Sequence, residues 1–287
     1  CVVLGSMAAR KTKVPCVVNA LTGLGHIFTS NSLKSKLARP VLRGLLKRNL
    51  NGDNRSVIFQ NQDDMDELLT ARVVNADRCH LIRGSGVNTE KFRPSTAVRE
   101  DQEIRILFAS RLIAEKGINE LVGAMKDVAK AYPQAVLWIA GEPYAQNPTS
   151  LTGQDLQRLK KLPYVKLLGH LDDMVEVLSQ VDIVALPSYR EGTPKILLEA
   201  ASCGLPIVAT DIAGCRGLVQ HGVNGYLVPL RDRVHLAESI GDLCGDAALR
   251  AKMGSRGREI VETGFSSEIV IRDTLKAYDR LLGAHPC

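Results

Sequence analysis

The sequence predicts an α/β protein built on doubly wound parallel sheets, and two observations carry that prediction. From residue 103 onward, short continuous apolar runs alternate with amphipathic stretches, the pattern of parallel strands buried on both faces and joined by helices. The residues best suited to chemistry, Arg111, Lys116, Glu191 and Glu199, follow directly on those runs. Open α/β sheets bind their ligands there, outside the carboxyl ends of the strands.

Taken in order, the chain opens with "VVLGSMAARKTKVPCVVNALTGLG" after Cys1, a helix in mid-course followed by a strand, so it reads as starting inside a domain. Three short strands follow in the amino-terminal part: "PCVVNA" (15–20), "SVIFQN" (56–61) and "RCHLIRG" (78–84). The polar stretch "GSGVNTEKFRPSTAVREDQ" (84–102) has the composition of a domain link. We place the boundary near Phe92, giving a partial amino-terminal Rossmann-like domain over 1–92 and a second over 93–287; a chain of 287 residues fits about two domains. Beyond the link come "EIRILFAS" (103–110), "AVLWIAG" (135–141), "VKLLGH" (165–170), "DIVALPS" (182–188), "PIVAT" (206–210) and "GYLVP" (225–229) as strands. Helices are predicted for "GINELVGAMKDVAKAYP", "DDMVEVLSQV" and "PKILLEAASCG", the last ending at a Gly204 C-cap. "SSEIVIRDTLKAYDRLLG" (266–283) reads as a long amphipathic helix able to cross to the neighbouring domain.

Composition narrows the function. Hydrophobic residues at 45% and charged residues at 24% are ordinary for a globular chain. Seven scattered cysteines without CxxC spacing point to free thiols in a reducing compartment, hence the cytoplasm. No apolar run reaches the ~18 residues needed to cross a bilayer, and no signal peptide is visible. The net charge of +6 suits an anionic partner. Residues 34–48, "KSKLARPVLRGLLKR", carry six basic residues and no acid among interleaved leucines, with Pro40 near the expected helix start. Two readings stay open: a helix lying on an anionic membrane, or a surface helix whose leucines face the core. No nucleic-acid partner is expected, since no aromatics are interleaved for base stacking.

In "FASRLIAEKGI" (108–118), Arg111 and Lys116 precede a helix opened by Gly117, an arrangement suited to phosphate oxygens, although a strand-to-helix loop also carries ordinary surface charges. In "LPSYREGTPKILLEA" (186–200), Pro194 suits the first turn of a helix, and the N–H groups around Gly192, Thr193 and Lys195 would face an anion. Glu191 stands before that helix and Glu199 inside it, on the order of 10 Å apart, too far to share a proton and well placed for separate hydroxyl pairs of one long ligand. Taken alone, Glu199 is equally an ordinary helix residue. Asp172-Asp173 and Asp63-Asp64 each precede a helical pattern and read as capping charges rather than metal ligands.

The run from "SRLIAEKG" through "LWIAGE" and "VKLLGHLDDMVEVLSQVDIVALPSYREGTPKILLEAASCGLPIVATD" to "GVNGYLVP" resembles the retaining glycosyltransferases of family 4, which have the GT-B fold. The resemblance spans about residues 56–285 and includes the E-x7-E signature, here Glu191 and Glu199. "EGTPKILLEA" and "NALTGLGHIF" look most like bacterial members that build polysaccharide or lipid-linked oligosaccharide at the cell surface. It implies transfer of a sugar from a nucleotide-sugar, a UDP-sugar, with retention and without a metal or other cofactor. Arg111 and Lys116 would neutralise the donor diphosphate. Glu199 would hold the ribose, Glu191 with Gly192, Thr193, Pro194 and Lys195 would meet sugar and phosphate, and the backbone at His170 and Leu171 would face the base. Residues 1–92 would be the acceptor side, with Thr22, Gly23 and His26 as candidates. From the free thiols the expected location is the cytoplasm, and the basic stretch 34–48 would put it at the inner face of the membrane.

Departures from that family's pattern temper these expectations. The amino-terminal half shows three strands where a doubly wound half needs about five or six. It therefore reads as short by about 80 to 100 residues, and the chain taken alone is expected to bind nucleotide weakly and transfer sugar poorly. A lone loop histidine such as His26 is usually structural. A dehydrogenase is a weak reading, because "GSGVNT" (84–89) lacks the third glycine of GxGxxG. A sugar-nucleotide epimerase of the same fold, and a nucleotide-binding or membrane-associated module without turnover, remain as alternatives.

Overall fold

A computed structural model describes residues 2–24, 33–96 and 99–284. By contacts the chain divides into two units, the first running to Gly86 and including the helix from Ser267, the second Val87–Ser266.

In the first unit, strands β1 (Val17–Leu21), β2 (Arg55–Phe59) and β3 (Cys79–Leu81) form a parallel sheet in that order. Helices α1 (Val2–Lys11), α2 (Leu33–Leu50) and α3 (Gln62–Thr70) belong to the same unit. Helix α2 separates the two readings of the basic stretch. Its Leu42, Leu46 and Leu50 pack into a core with Val57, Phe59 and Leu68, whereas Leu37, Val41 and Leu45, at i, i+4 and i+8, are 71%, 66% and 40% exposed. Pro40 lies well inside this helix rather than near its start, where it removes one main-chain hydrogen bond. Asn61 caps α3, accepting from the Asp64 N–H at 2.8 Å and donating to the Asp64 carboxylate at 3.0 Å. Asp64 is thus engaged in a cap, with Asp63 beside it in the first turn.

The last helix, α11 (Ser267–Ala284), packs Val270 and Ala277 against Ile58, Ile82 and Val18 of this first unit. The boundary falls at Gly86 rather than near Phe92. Phe92 is buried in the core of the second unit, its carbonyl accepting from Ser202 Oγ at 2.6 Å and from the Arg258 guanidinium at 2.7 Å.

The second unit holds six parallel strands, β4 (Ile104–Ala109), β5 (Ala135–Ala140), β6 (Val165–Gly169), β7 (Ile183–Leu186), β8 (Ile207–Thr210) and β9 (Gly225–Val228), in the spatial order β6-β5-β4-β7-β8-β9. Its helices are α4 (Ile118–Ala131), α5 (Gly153–Lys160), α6 (Val175–Leu178), α7 (Lys195–Ser202), α8 (Ala213–Arg216), α9 (Arg233–Gly245) and α10 (Ala247–Gly264). The strands read as continuous apolar runs because both faces are covered: Ile106, Leu107 and Phe108 of β4 and all of β7 are buried. Helix α4 turns Ile118, Leu121, Met125 and Val128 inward; each such side chain contributes about 1.5–3 kcal/mol on burial. The expected helix after β6 amounts to a single turn, α6, where Asp173 accepts from the Val175 N–H at 3.0 Å.

This order places the chain reversal between β4 and β7, paired at Ile106↔Ile183 and Leu107↔Val184. The sheet grows outward from β4 through β5 to β6, then resumes on the other side at β7. Loops leaving the carboxyl ends at that point diverge, one above and one below the sheet, and open a crevice between them.

Candidate active site

Both motif-bearing loops start at the reversal. After β4, the loop with Arg111 is laced to the one after β5: Leu112 N donates to Glu142 O at 2.9 Å, Ala114 N to Thr149 O at 3.0 Å, and Leu151 N to Leu112 O at 2.8 Å. The Arg111 guanidinium lies 4.9 Å from the centroid of the Tyr144 ring, a cation–π contact that orients the cation without neutralising it. A single 3-10 turn, Ala114–Lys116, then delivers Lys116 and ends at Gly117 with φ 75°. A Cβ at Gly117 would stand 2.0 Å from the Pro187 carbonyl oxygen, so glycine is what lets α4 begin hard against the loop after β7.

That loop carries Glu191. Lys116 Nζ donates to Glu191 Oε1 at 2.6 Å, and both side chains are largely buried, 16% and 12% exposed. Gly214 of α8 backs the loop, where an added Cβ would lie 2.4 Å from the carbonyl oxygens of both Glu191 and Gly192. Pro194, with φ −70° and ψ 119°, takes the N-cap position, so α7 begins one residue later than the sequence reading placed it, at Lys195. The first N–H groups of any α-helix lack partners within it.

Glu199 is only 5% exposed. It lines a cavity of about 390 Å³ together with Arg111, Tyr144, His170, Leu171 and Ile196. Burial raises its carboxyl above the usual 4.5, opposed by Lys195, whose Nζ sits 3.4 Å from Oε1. An ionised carboxylate in such a wall is short of hydrogen-bond donors, and a ligand hydroxyl supplies them.

The structure therefore gathers Arg111, His170, Leu171 and Glu199 around one cavity, fed by the carboxyl ends of β4, β5 and β6. Lys116 and Glu191 form a separate pair between the loops after β4 and β7; they are not among the cavity's lining residues, nor are Gly192, Thr193, Pro194 and Lys195. Thr22 and Gly23 stand exposed directly after β1 in the first unit, and His26 lies outside the described residues. Sequence reasoning missed Tyr144 as a wall residue and missed the Lys116–Glu191 pair. Both were within reach of the rule that functional groups follow strand ends, since Tyr144 is four residues beyond β5 and β4 adjoins β7.

Among the described residues no group of three His, Cys, Asp or Glu side chains is arranged to hold a metal ion, and no helix is long and apolar enough to cross a membrane.

The chain is similar to known proteins over most of its length. The chain is 27% identical, over 97% of its length and 74% of the relative's, to the Campylobacter jejuni N,N'-diacetylbacillosaminyl-diphospho-undecaprenol alpha-1,3-N-acetylgalactosaminyltransferase. It is 28% identical to the Escherichia coli UDP-Gal:alpha-D-GlcNAc-diphosphoundecaprenol alpha-1,3-galactosyltransferase, over 92% of this chain and 69% of that one. The Staphylococcus aureus capsular polysaccharide glycosyltransferase CapM is 27% identical over 69% of this chain, which spans only 53% of CapM. Among solved structures, Anabaena HepE in complex with UDP and glucose superposes with a TM-score of 0.78 at 23% identity, covering 97% of this chain and 75% of that one. Thermosynechococcus elongatus sucrose-phosphate synthase gives 0.80 at 24% identity, covering 98% and 72%. These likenesses establish the fold as GT-B. The family model for "Glycosyl transferases group 1" matches residues 103–246, just over half of the chain and the whole stretch from β4 to the end of α9, and the protein belongs to that family.

Proposed function

We propose that the protein is a retaining glycosyltransferase that moves a sugar from a UDP-sugar to a glycan or lipid-linked acceptor in cell-surface polysaccharide synthesis. The observation that carries the reading is the cavity wall that joins buried Glu199 to Arg111. A nucleotide laid along it meets an acceptor for ribose hydroxyls and a cation for the diphosphate, with the backbone at His170 and Leu171 facing the base. Uridine as the base is supported by the Escherichia coli relative, whose donor is UDP-Gal by name. As the bond to the nucleotide breaks, positive charge grows on the sugar and negative charge on the leaving diphosphate. Arg111, Lys116 and the start of α7 stabilise the latter, and Glu191 faces the former. These cations carry the charge, so the mechanism calls on no metal.

The acceptor is read from the relatives, two of which act on undecaprenol-linked diphosphates by name. We place the protein in the cytoplasm, at the inner face of the membrane. Supporting this, Leu37, Val41 and Leu45 project from a helix that carries basic residues and no acid. Vesicle flotation tests it: binding is expected to anionic and not to zwitterionic vesicles, and a Leu37→Asp/Val41→Asp variant that still floats would remove that part of the reading.

The enzymatic test is a screen of sugar nucleotides with product analysis, with and without a lipid-linked acceptor. Acceptor-dependent nucleotide release with the sugar transferred in unchanged anomeric configuration is expected. Interconversion of sugar nucleotides without acceptor would mean an epimerase, and binding without turnover a nucleotide-binding module; the relatives named above are transferases, which favours transfer.

A further inference from the structure

Tyr189, two residues ahead of Glu191, is gripped from three sides. Its N–H donates to the Glu115 carbonyl at 2.8 Å, its hydroxyl donates to Glu120 Oε1 at 2.6 Å, and the Arg231 guanidinium lies 4.5 Å from its ring centroid. Glu115 immediately precedes Lys116, so the segments 115–116 and 189–191 run side by side and are tied at both ends, by this main-chain bond and by the Lys116–Glu191 pair.

Two further features show that the grip is built. Arg231, between β9 and α9, holds φ at 60°, a left-handed backbone that side chains other than glycine rarely adopt and that persists where surroundings enforce it. The next residue, Asp232, fixes it there by capping α9, accepting from the N–H groups of Val234 and His235 at 3.0 Å each. Glu120 is the other: Oε2 is buried and makes no hydrogen bond among the described residues, so its carboxylate is committed to the phenol. Burial, and then Glu120, push the Tyr189 phenol up, keeping it a neutral donor.

We propose that Tyr189, clamped between Glu120 and Arg231, is a positioning residue for sugar transfer, fixing the loop that carries Glu191 so that the Lys116–Glu191 pair meets the donor in reactive geometry. This rests on the glycosyltransferase reading. Tyr189 acts through Glu191 and touches no reacting atom, so its loss lowers kcat and leaves donor KM nearly alone.

The test compares Tyr189→Phe, Arg231→Gly and Arg231→Lys with the wild type by steady-state kinetics, thermal melting and hydrogen–deuterium exchange. Tyr189→Phe is expected to lower kcat about tenfold, with donor KM within about twofold, because a small displacement of a catalytic loop is enough for such a loss. Arg231→Gly is expected to raise Tm by relieving the left-handed backbone and yet to lower kcat, a divergence that a purely structural role does not produce. Arg231→Lys recovers part of the rate, and Tyr189→Phe/Arg231→Gly is no slower than Tyr189→Phe alone. Exchange at residues 190–193 is expected to speed up in both single variants. Unchanged kcat in Tyr189→Phe, rate losses that only track Tm, or unchanged exchange at 190–193 overturns the proposal. If the wild type turns over no sugar nucleotide, the functional reading fails by itself, and exchange alone then decides the clamp.

Discussion

Replacing Glu199 by Gln separates the two roles its burial creates. The carboxylate offers two acceptor oxygens to a pair of vicinal hydroxyls, while the amide offers one and turns its other arm into a donor. Losing one charge-assisted hydrogen bond costs about 1.5–3 kcal/mol, which at 1.4 kcal/mol per decade is a roughly ten- to hundredfold weaker Kd for UDP. Stability moves the other way. Because burial raises the Glu199 carboxyl above 4.5, the folded state holds its proton to higher pH than the unfolded chain does. Stability therefore falls as pH rises from 4.5 through the folded value, and this contribution is at its lowest at neutral pH. Gln has no charge to bury, so the variant's Tm at pH 7 is expected to equal or exceed the wild type's, with the advantage vanishing below pH 4.5. Titration calorimetry with UDP and with 2′-deoxy-UDP provides the assay, and the variant is expected to lose less affinity for the deoxy nucleotide. A variant that melts normally and binds UDP within about twofold of wild type refutes the ribose assignment.

Other outcomes follow from the same geometry. Arg111→Ala removes the cation on the cavity wall and is expected to weaken UDP binding about tenfold with a shallower salt dependence, read by calorimetry at two ionic strengths. Lys116→Ala is expected to weaken it further, and Lys116→Ala/Glu191→Gln to regain part of the loss in the same titrations, without regaining transfer. Gly214→Ala drives a methyl into the Glu191 and Gly192 carbonyls; at about 1–3 kcal/mol of overpacking, Tm is expected to fall by about 2–4 °C or more, with turnover falling faster than the folded fraction. Burial pushes the thiols of Cys203 and Cys244 up to about 12, so mass spectrometry is expected to find both unalkylated after iodoacetamide at pH 8 and labelled only in denaturant.

The larger unit was legible because its signals are local. Each strand is a continuous apolar run between turn residues, and each motif sits at a strand end, so Arg111, His170 and Glu199 could be placed around one site without coordinates. What sequence left open depended on contacts distant in the chain. Lys116 and Glu191 are 75 positions apart, and only the strand order, with β4 beside β7, brings them within bonding distance. The unit boundary was misplaced for a similar reason. The polar link looks like a linker throughout, yet Phe92 is drawn into the core by Ser202 and Arg258, 110 and 166 residues away. The leucines of α2 defeated a single-stripe reading because the helix has two apolar stripes, one packed and one exposed.

The pairings in the site explain why its two leading cations are not equivalent. Arg111 is oriented by an aromatic face and makes no ion pair among the described residues, while Lys116 is held by a carboxylate at 2.6 Å. On the proposed mechanism a diphosphate arriving at the reversal of the sheet therefore meets one cation that makes no ion pair among the described residues, with Glu115 acting on it only through space, and one that it must share with Glu191. Removing Arg111 subtracts a single attraction. Removing Lys116 subtracts an attraction and also leaves a largely buried carboxylate facing the phosphates, which is why its loss is expected to cost more and why neutralising Glu191 restores binding. Restored binding is not expected to restore transfer, because on the proposed mechanism the carboxylate that repels phosphate when unpaired is the group that meets positive charge on the sugar. On the proposed mechanism the ion pair holds Glu191 oriented while Lys116 offsets its repulsion of phosphate, a task neither residue performs alone.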